Sequence, residues 1–340
     1  MSQLLKAVTA RIRQSRDPRI HVVVGVSPSE DEPDVRAAAE PRTGRAELVD
    51  PKGSLDGVAV GEPRVGGFTC FMDGMERQRL LLYCSMAPVV YGFTAAVVRR
   101  RGEDRRMRTD DVGVRIREAL YASRRSADLE PLLGPGVSVI EIESEEEHLE
   151  AHPMILREAA RKKVGVVREA LEREVTSAWL ARHDGGAEWL LVDGSLAGDY
   201  DHYEAPNIVG VIKSHQTQYF PMEEQAKVLA LGVGQRSGVF VPLGRKRPPV
   251  YSWYLRLRPN DGRDVYFGLV RVEAAKCDRT LEMVDEISRW LLAERSPLSL
   301  PDSRWDRMIY PIRDCEQFLK SLAPSDAVLD ASIVGLARAV

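Results

Sequence analysis

The stretch GFTCFMDG (67–74), continued by RLLLYCSMAPVVYGFTAAVVRR (79–100), decides the fold class. Its apolar runs are rich in β-branched and aromatic residues, and turn or breaker signals interrupt them at Asp73-Gly74 and near Pro88. The reading is one strand ending at Asp73-Gly74 and at least two more after it, an antiparallel meander. Further along, Thr109–Ser123 reads as a helix, VSVIEIES (137–144) as a strand, and about His152 to Arg182 as a long helix. AEWLLVDGSL (187–196) is a strand closed by a second Asp-Gly pair, and NIVGVIKSH (207–215) is another strand. MEEQAKVLALG (222–232) is a helix with Gly232 as its stop. VFVPL (239–243), VYSWYLRLR (250–258) and VYFGLVRVEA (265–274) are strands, and Pro259-Asn260-Asp261-Gly262 signals a hairpin between the last two. From Asp278 onward the pattern is mainly helical. This order predicts an α/β protein with a mixed sheet flanked by helices, not the regular β-α-β alternation of a doubly wound nucleotide fold. Neither a GxGxxG turn opening a helix nor a GxxxxGK[ST] loop is present, so P-loop nucleotide hydrolysis is not supported.

The chain has 340 residues, 44% hydrophobic and 29% charged, with a formal net charge of -3. That is enough to bury one large core and is not a disordered composition. No apolar run approaches the roughly 20 residues that span a bilayer. Cys70, Cys84, Cys277 and Cys315 are scattered, without a CxxC pair, so neither a zinc site nor a disulfide framework is expected, and a reducing cytoplasm is the default. The opening MSQLLKAVTARIRQSR reads as a short basic amphipathic helix, and residues 27–66, rich in Pro, Gly and charge, read as a long arm. The expected organisation is an N-terminal helix and arm over 1–62, a main domain over 63–325 and a helical tail over 326–340. Local basic clusters that could meet a polyanion are Arg99-Arg100-Arg101 with Arg105-Arg106, Arg161-Lys162-Lys163, and Arg245-Lys246-Arg247.

Asp73 and Asp193 are the best candidates to carry chemistry, the alternative being that each Asp-Gly pair simply makes a turn. Each follows an apolar strand and precedes a glycine, and the carboxyl edge of a sheet is where α/β folds bind ligands. Phosphodiester hydrolysis with divalent ions needs several hard oxygen ligands converging from different elements. A third carboxylate is expected from the long helix, where Glu169, Glu172 and Glu174 compete. Taking Val164, Val167, Leu171, Val175 and Ala178 as the buried stripe puts Glu174 on its shoulder, with Glu172 in reserve. Lys213 ends an interior strand and could steady a phosphate, with His215 beside it. Arg256 and Arg271 alternate with apolar residues on paired strands and are candidate DNA contacts. Glu273 is an alternative ion-pair partner for Arg271, and Trp253 and Tyr254 are stacking platforms or core residues.

In order and spacing, FMDG, the Glu-bearing helix, LLVDGSL, VGVIKSH, GQRSGVF, WYLRL and VRVE resemble the NurA family of DNA-repair nucleases, over roughly residues 67–320. The resemblance implies a ribonuclease-H-like core, Mn²⁺ (or Mg²⁺) at a two-ion centre, homodimerisation, and partnership with a HerA-type hexameric ATPase that feeds DNA to the nuclease. Asp73 and Asp193 match the family's metal-binding aspartates, Glu174 its helical glutamate and Lys213 its strand lysine. Arg236 of GQRSGVF and Tyr310 join the candidate DNA contacts. The family's C-terminal Tyr-Pro segment is matched by Tyr310-Pro311, but the metal-binding histidine that follows it in the family is missing here. Either Asp314 or Glu316 supplies an oxygen in its place, or the site holds metal less tightly.

Overall fold

The computed structural model describes residues 2–24, 42–49, 54–125, 128–142, 152–183, 188–196, 205–244, 249–295 and 309–339. The cluster Arg245-Lys246-Arg247 and most of the arm expected over 27–66 lie outside them.

The chain opens with α1 (Gln3–Ser15), then β1 (Ile20–Val22), and the described parts of the arm hold β2 (Arg42–Thr43), β3 (Arg45–Leu48) and β4 (Val58–Ala59). Three long strands follow: β5 (Cys70–Cys84), β6 (Ala87–Arg101) and β7 (Met107–Ala122). Next come a 3-10 turn (Glu130–Leu132), β8 (Val139–Glu141), the long α2 (Pro153–His183), β9 (Leu190–Asp193) and β10 (Ile208–Ile212). The remainder comprises β11 (Thr217–Gln218), α3 (Met222–Leu229), β12 (Gln235–Arg236), β13 (Phe240–Leu243), β14 (Val250–Arg256), β15 (Leu269–Ala275), α4 (Asp278–Glu294), α5 (Tyr310–Leu322) and α6 (Asp326–Ala337).

The main sheet runs in the order β3-β13-β14-β15-β10-β9-β5-β6-β7-β8. β5, β6 and β7 form an antiparallel meander, but the three strands expected within residues 67–100 are only two, β5 and β6, and β7 supplies the third; β9 and β10 lie parallel to β5 on its other side. β15 returns antiparallel to β10. The sheet is therefore mixed, as the sequence predicts.

Two expectations are corrected. Thr109–Ser123 is not a helix but the body of β7, paired with β6 along most of its length. Val112, Val114 and Ile116 are β-branched residues at alternate positions, and pairing with a neighbour overrides the weak helical signal of the charges between them. The strand carrying Asp73 does not end at Gly74 either. β5 continues to Cys84 and turns through Ser85-Met86, both at positive φ, into β6.

Alternation assigns the faces of the sheet. Cys70, Met72, Ala96, Val98 and Val192 pack with Leu171, Val175 and Trp179 of α2. Phe71 and Arg99, one residue along each strand, face the other way, where the Cys315 thiol of α5 donates to the Phe71 carbonyl (3.4 Å) and Asp314 pairs with Arg99. The N-terminal helix joins this main core, burying Leu4, Leu5, Val8 and Ile12 in one cluster with α4 and α6 residues such as Leu291 and Leu336. Of the described arm, β3 pairs with β13 and β4 with β12. Among the described residues no helix is long and apolar enough to cross a membrane.

Candidate metal centre beside the acid pair

The ladder between β5 and β9 aligns Met72 with Val192, so Asp73 and Asp193 are the next residues on neighbouring parallel strands. Asp73 lies inside its strand, opposite Val97 of β6, and only 8% of it is exposed. Its Oδ1 accepts the Gly74 N–H at 2.8 Å. Burial, and then the Asp193 charge beside it, hold its carboxyl well above the usual aspartate range, with Lys213 opposing. Asp193 ends its strand and meets Lys213 Nζ at 2.8 Å from Oδ1 and 2.9 Å from Oδ2. Lys213 follows β10 by one residue, two beyond Val211, the register partner of Asp193. The pairing of Asp193 with Lys213 thus follows directly from two parallel strands.

The chain beyond Asp193 is held by groups that the sequence pattern does not assign to the site. Gly194 turns at φ 114, and a β-carbon on Gly210 would lie 2.7 Å from the Gly194 carbonyl oxygen. Glu273 of β15, with no exposed surface, accepts the Leu196 N–H at 2.9 Å and pairs with Arg271 at 2.5 Å. A carboxylate in the middle of an apolar strand is the available signal, because such a group must find donors.

Asp73, two residues beyond Phe71, lies on the α5 face of the sheet; from α2, the buried glutamate is Glu172, on the opposite face. Its carboxylate lies over Gly74, where a β-carbon would collide with it. Burial raises Glu172 from 4.5 to about 7, although Arg168 one turn back forms an ion pair with it. Arg168 also reaches Glu76 of β5 at 3.2 Å. Glu174, the expected ligand, instead has its side chain 48% exposed, 3.9 Å from Arg117. The cause is a drift of the buried seam. It advances as Leu156, Ala160, Val164, then Leu171, Val175 and Trp179, mostly in steps of four residues. Each such step rotates the seam by about 40°, which carries Glu172 inward and leaves Glu174 outside.

The other sequence candidates are placed as follows. Asp314 is bound to Arg99 Nε at 2.7 Å, and Glu316 to Arg313 and Lys320. Between them in sequence, Cys315 is the α5 group that feels the acids, its thiol pushed well up by burial and by Asp73. Arg256 is 1% exposed and donates to the carbonyls of Leu229, Leu231, Val265 and Phe267, which excludes it from a DNA surface. Arg236 is buried against Asp285 and Arg271 against Glu273. Trp253 and Tyr254 are core residues. His215 donates to the Leu269 carbonyl at 3.0 Å, and burial lowers its pKa. Tyr310 opens α5 and is 37% exposed. Arg99, Arg100 and Arg101 are consumed by Asp314, by Asp110 and Glu188, and by Glu294.

The donor set suits a hard divalent cation, since two aspartates stand side by side on adjacent strands and burial resists the negative charge of Asp73. No protein-family model matches the chain, and no curated protein matches it in sequence. Among the described residues, no three His, Cys, Asp or Glu side chains stand close enough together to hold an ion. Glu172, the buried acid of α2, is held in an ion pair by Arg168.

Proposed function

We propose that this chain is a metal-dependent DNA nuclease, with Asp73 and Asp193 as paired ligands of Mn²⁺ or Mg²⁺ and Glu172 as the third carboxylate. The observation that carries the reading is the buried Asp73 beside Asp193, each with its charge set against a neighbour on the next strand. Three antiparallel strands followed by two parallel ones, with acids on adjacent strands and on the covering helix, support a ribonuclease-H-like core. Bound divalent ions would supply charge neutralisation at the phosphate and acidify a water. The chain's own contribution is position. Asp73 is fixed within a strand, Glu273 pins the loop after Asp193, and Lys213 offers its ammonium to a non-bridging phosphate oxygen. By the same reading the nuclease forms a homodimer and works with a HerA-type hexameric ATPase in the cytoplasm. The test is cleavage of linear DNA by purified protein with Mn²⁺: wild type should degrade it and Asp73→Ala or Asp193→Ala should not. Equal activity in the variants would sink the assignment.

One observation favours a second reading, a catalytically weakened adaptor that docks on the ring ATPase and gates its DNA channel. Two expected ligand positions are held by arginines, Glu172 by Arg168 and Asp314 by Arg99. ATPase binding without cleavage in any divalent metal would select it.

A further inference from the structure

On the Lys213 side of the acid pair the surface dips into a cleft of about 220 Å³, walled by Lys213, Arg258, Arg295, Tyr266, Phe267 and Ile309. Arg258 follows β14 by two residues and Arg295 caps α4, and the two lock these ends together. Arg258 Nη2 donates to the Arg295 carbonyl, and Arg295 Nη1 donates to the Leu257 carbonyl at 2.5 Å. Both guanidiniums are thereby stationed in one cleft, close enough that burial and the Arg258 charge push Arg295 below the ordinary arginine value. Placing like charges together raises the energy of the empty cleft and favours an anion entering it. A guanidinium carries five N–H donors in a fixed fork that is well matched to phosphate oxygens.

Tyr266 adds a second element. It is 36% exposed at the cleft and lies stacked on His215 at 4.9 Å with an interplanar angle of 21°. His215 is itself anchored on the Leu269 carbonyl, so the tyrosine ring is backed by a fixed plane. Lys213 forms a wall of the cleft while holding Asp193, which makes the cleft continuous with the proposed centre.

We propose that this cleft binds one nucleotide of a single-stranded DNA, the neighbour of the one cleaved, its phosphate on Arg258 and Arg295 and its base on Tyr266. The inference rests on the nuclease reading and says where the strand leaves the acid pair. Stacking on one aromatic face tolerates any base, so the site carries no sequence preference.

Fluorescence anisotropy of a short end-labelled single strand, in EDTA so that nothing is cut, tests it. Arg258→Gln and Arg295→Gln should each weaken binding about tenfold. The slope of log affinity against log salt should fall by about 0.7 for each phosphate that the variant no longer neutralises. Tyr266→Ala should weaken binding about tenfold without changing that slope. Tyr266→Glu, at an exposed position, places a negative charge in the cleft and guards against misfolding of the arginine variants; it too should lose binding. Wild-type affinity in folded Arg295→Gln and Tyr266→Glu overturns the inference. Should wild type cut DNA while these variants bind normally, the cleft assignment fails and the nuclease reading stands. Should no metal support cutting while the variants still lose the strand, the nuclease reading fails and the cleft remains a single-strand site.

Discussion

The Glu172 carboxylate occupies the place where a side chain on Gly74 would have to be. A β-carbon there would collide with Oε1 and come within 2.7 Å of Cδ and Cγ. Gly74 stands inside a strand, not at a turn, so its missing side chain serves close approach of α2. Gly74→Ala should therefore displace Glu172, costing about 1–3 kcal/mol in a denaturant melt, and should weaken Mn²⁺ binding measured by calorimetry. An alanine variant with unchanged stability and metal affinity would show that Glu172 is not held there.

The two glutamates separate cleanly. Glu172→Gln should lower cleavage roughly 100-fold, at the upper end of losses from altering a metal site, because it removes the proposed third carboxylate. Glu174→Gln, on the exposed side of α2, should stay within about twofold, surface changes being worth little. Steady-state rates in Mn²⁺ decide it, and the opposite ranking would return the role to Glu174.

Without metal the fold should weaken as pH rises. Burial raises Glu172 to about 7 and holds Asp73 well above its usual range. A carboxyl whose folded value exceeds its unfolded value binds its proton more tightly when folded. Its contribution is then full below the unfolded value and lost as pH climbs through the folded one. For Glu172, with its side chain 14% exposed and a rise from 4.5 to about 7, the loss is about 3 kcal/mol at most. Thermal melts in EDTA should fall between about pH 5 and about pH 8, Mn²⁺ should restore the alkaline value, and Asp73→Asn should flatten the profile. A pH profile indifferent to both Mn²⁺ and Asp73→Asn would contradict a shared carboxylate centre.

Arg256 should prove to be a structural residue. Its guanidinium donates to four carbonyls from the end of α3 and from the loop between β14 and β15. Arg256→Ala strands those acceptors and should cost about 3–5 kcal/mol. The salt dependence of DNA binding by the surviving folded fraction should be unchanged; a smaller salt slope would restore Arg256 as a phosphate contact.

Arg168→Ala should tighten Mn²⁺ binding by freeing Glu172, measured by calorimetry at neutral pH, severalfold if the ion pair is the obstacle. Weaker binding in the variant would mean that Arg168 positions the glutamate for the metal and does not compete with it.

Much of this centre is legible in the residues because hydrophobic strands announce themselves. Apolar runs before Asp73, Asp193 and Lys213 identify three strands, and parallel pairing of β5, β9 and β10 then brings their polar residues together. What is not legible depends on neighbours. β7 reads as helical because its outer residues are charged, and only pairing with β6 makes it a strand. Glu174 stands out over Glu172 because a seam drawn through Ala178 ignores the drift that buries Trp179 instead. Arg256 and Arg271 alternate with apolar residues as groove-facing cations would, yet one staples a loop and the other neutralises Glu273. Alternation gives the side of a strand and not what waits there.

The two aspartates differ in mechanical character. Asp73 is clamped in mid-strand, with β6 along one edge and β9 ending beside it, whereas Asp193 is the last residue of its strand and Gly194 swivels immediately after it. One acid is therefore set by the sheet's own ladder, and the other by side chains, Lys213 and, through Leu196, Glu273. The backbone beyond Asp193 is thus tied to β15, the strand that supplies Glu273, whereas Asp73 is tied to the strands on either side of it.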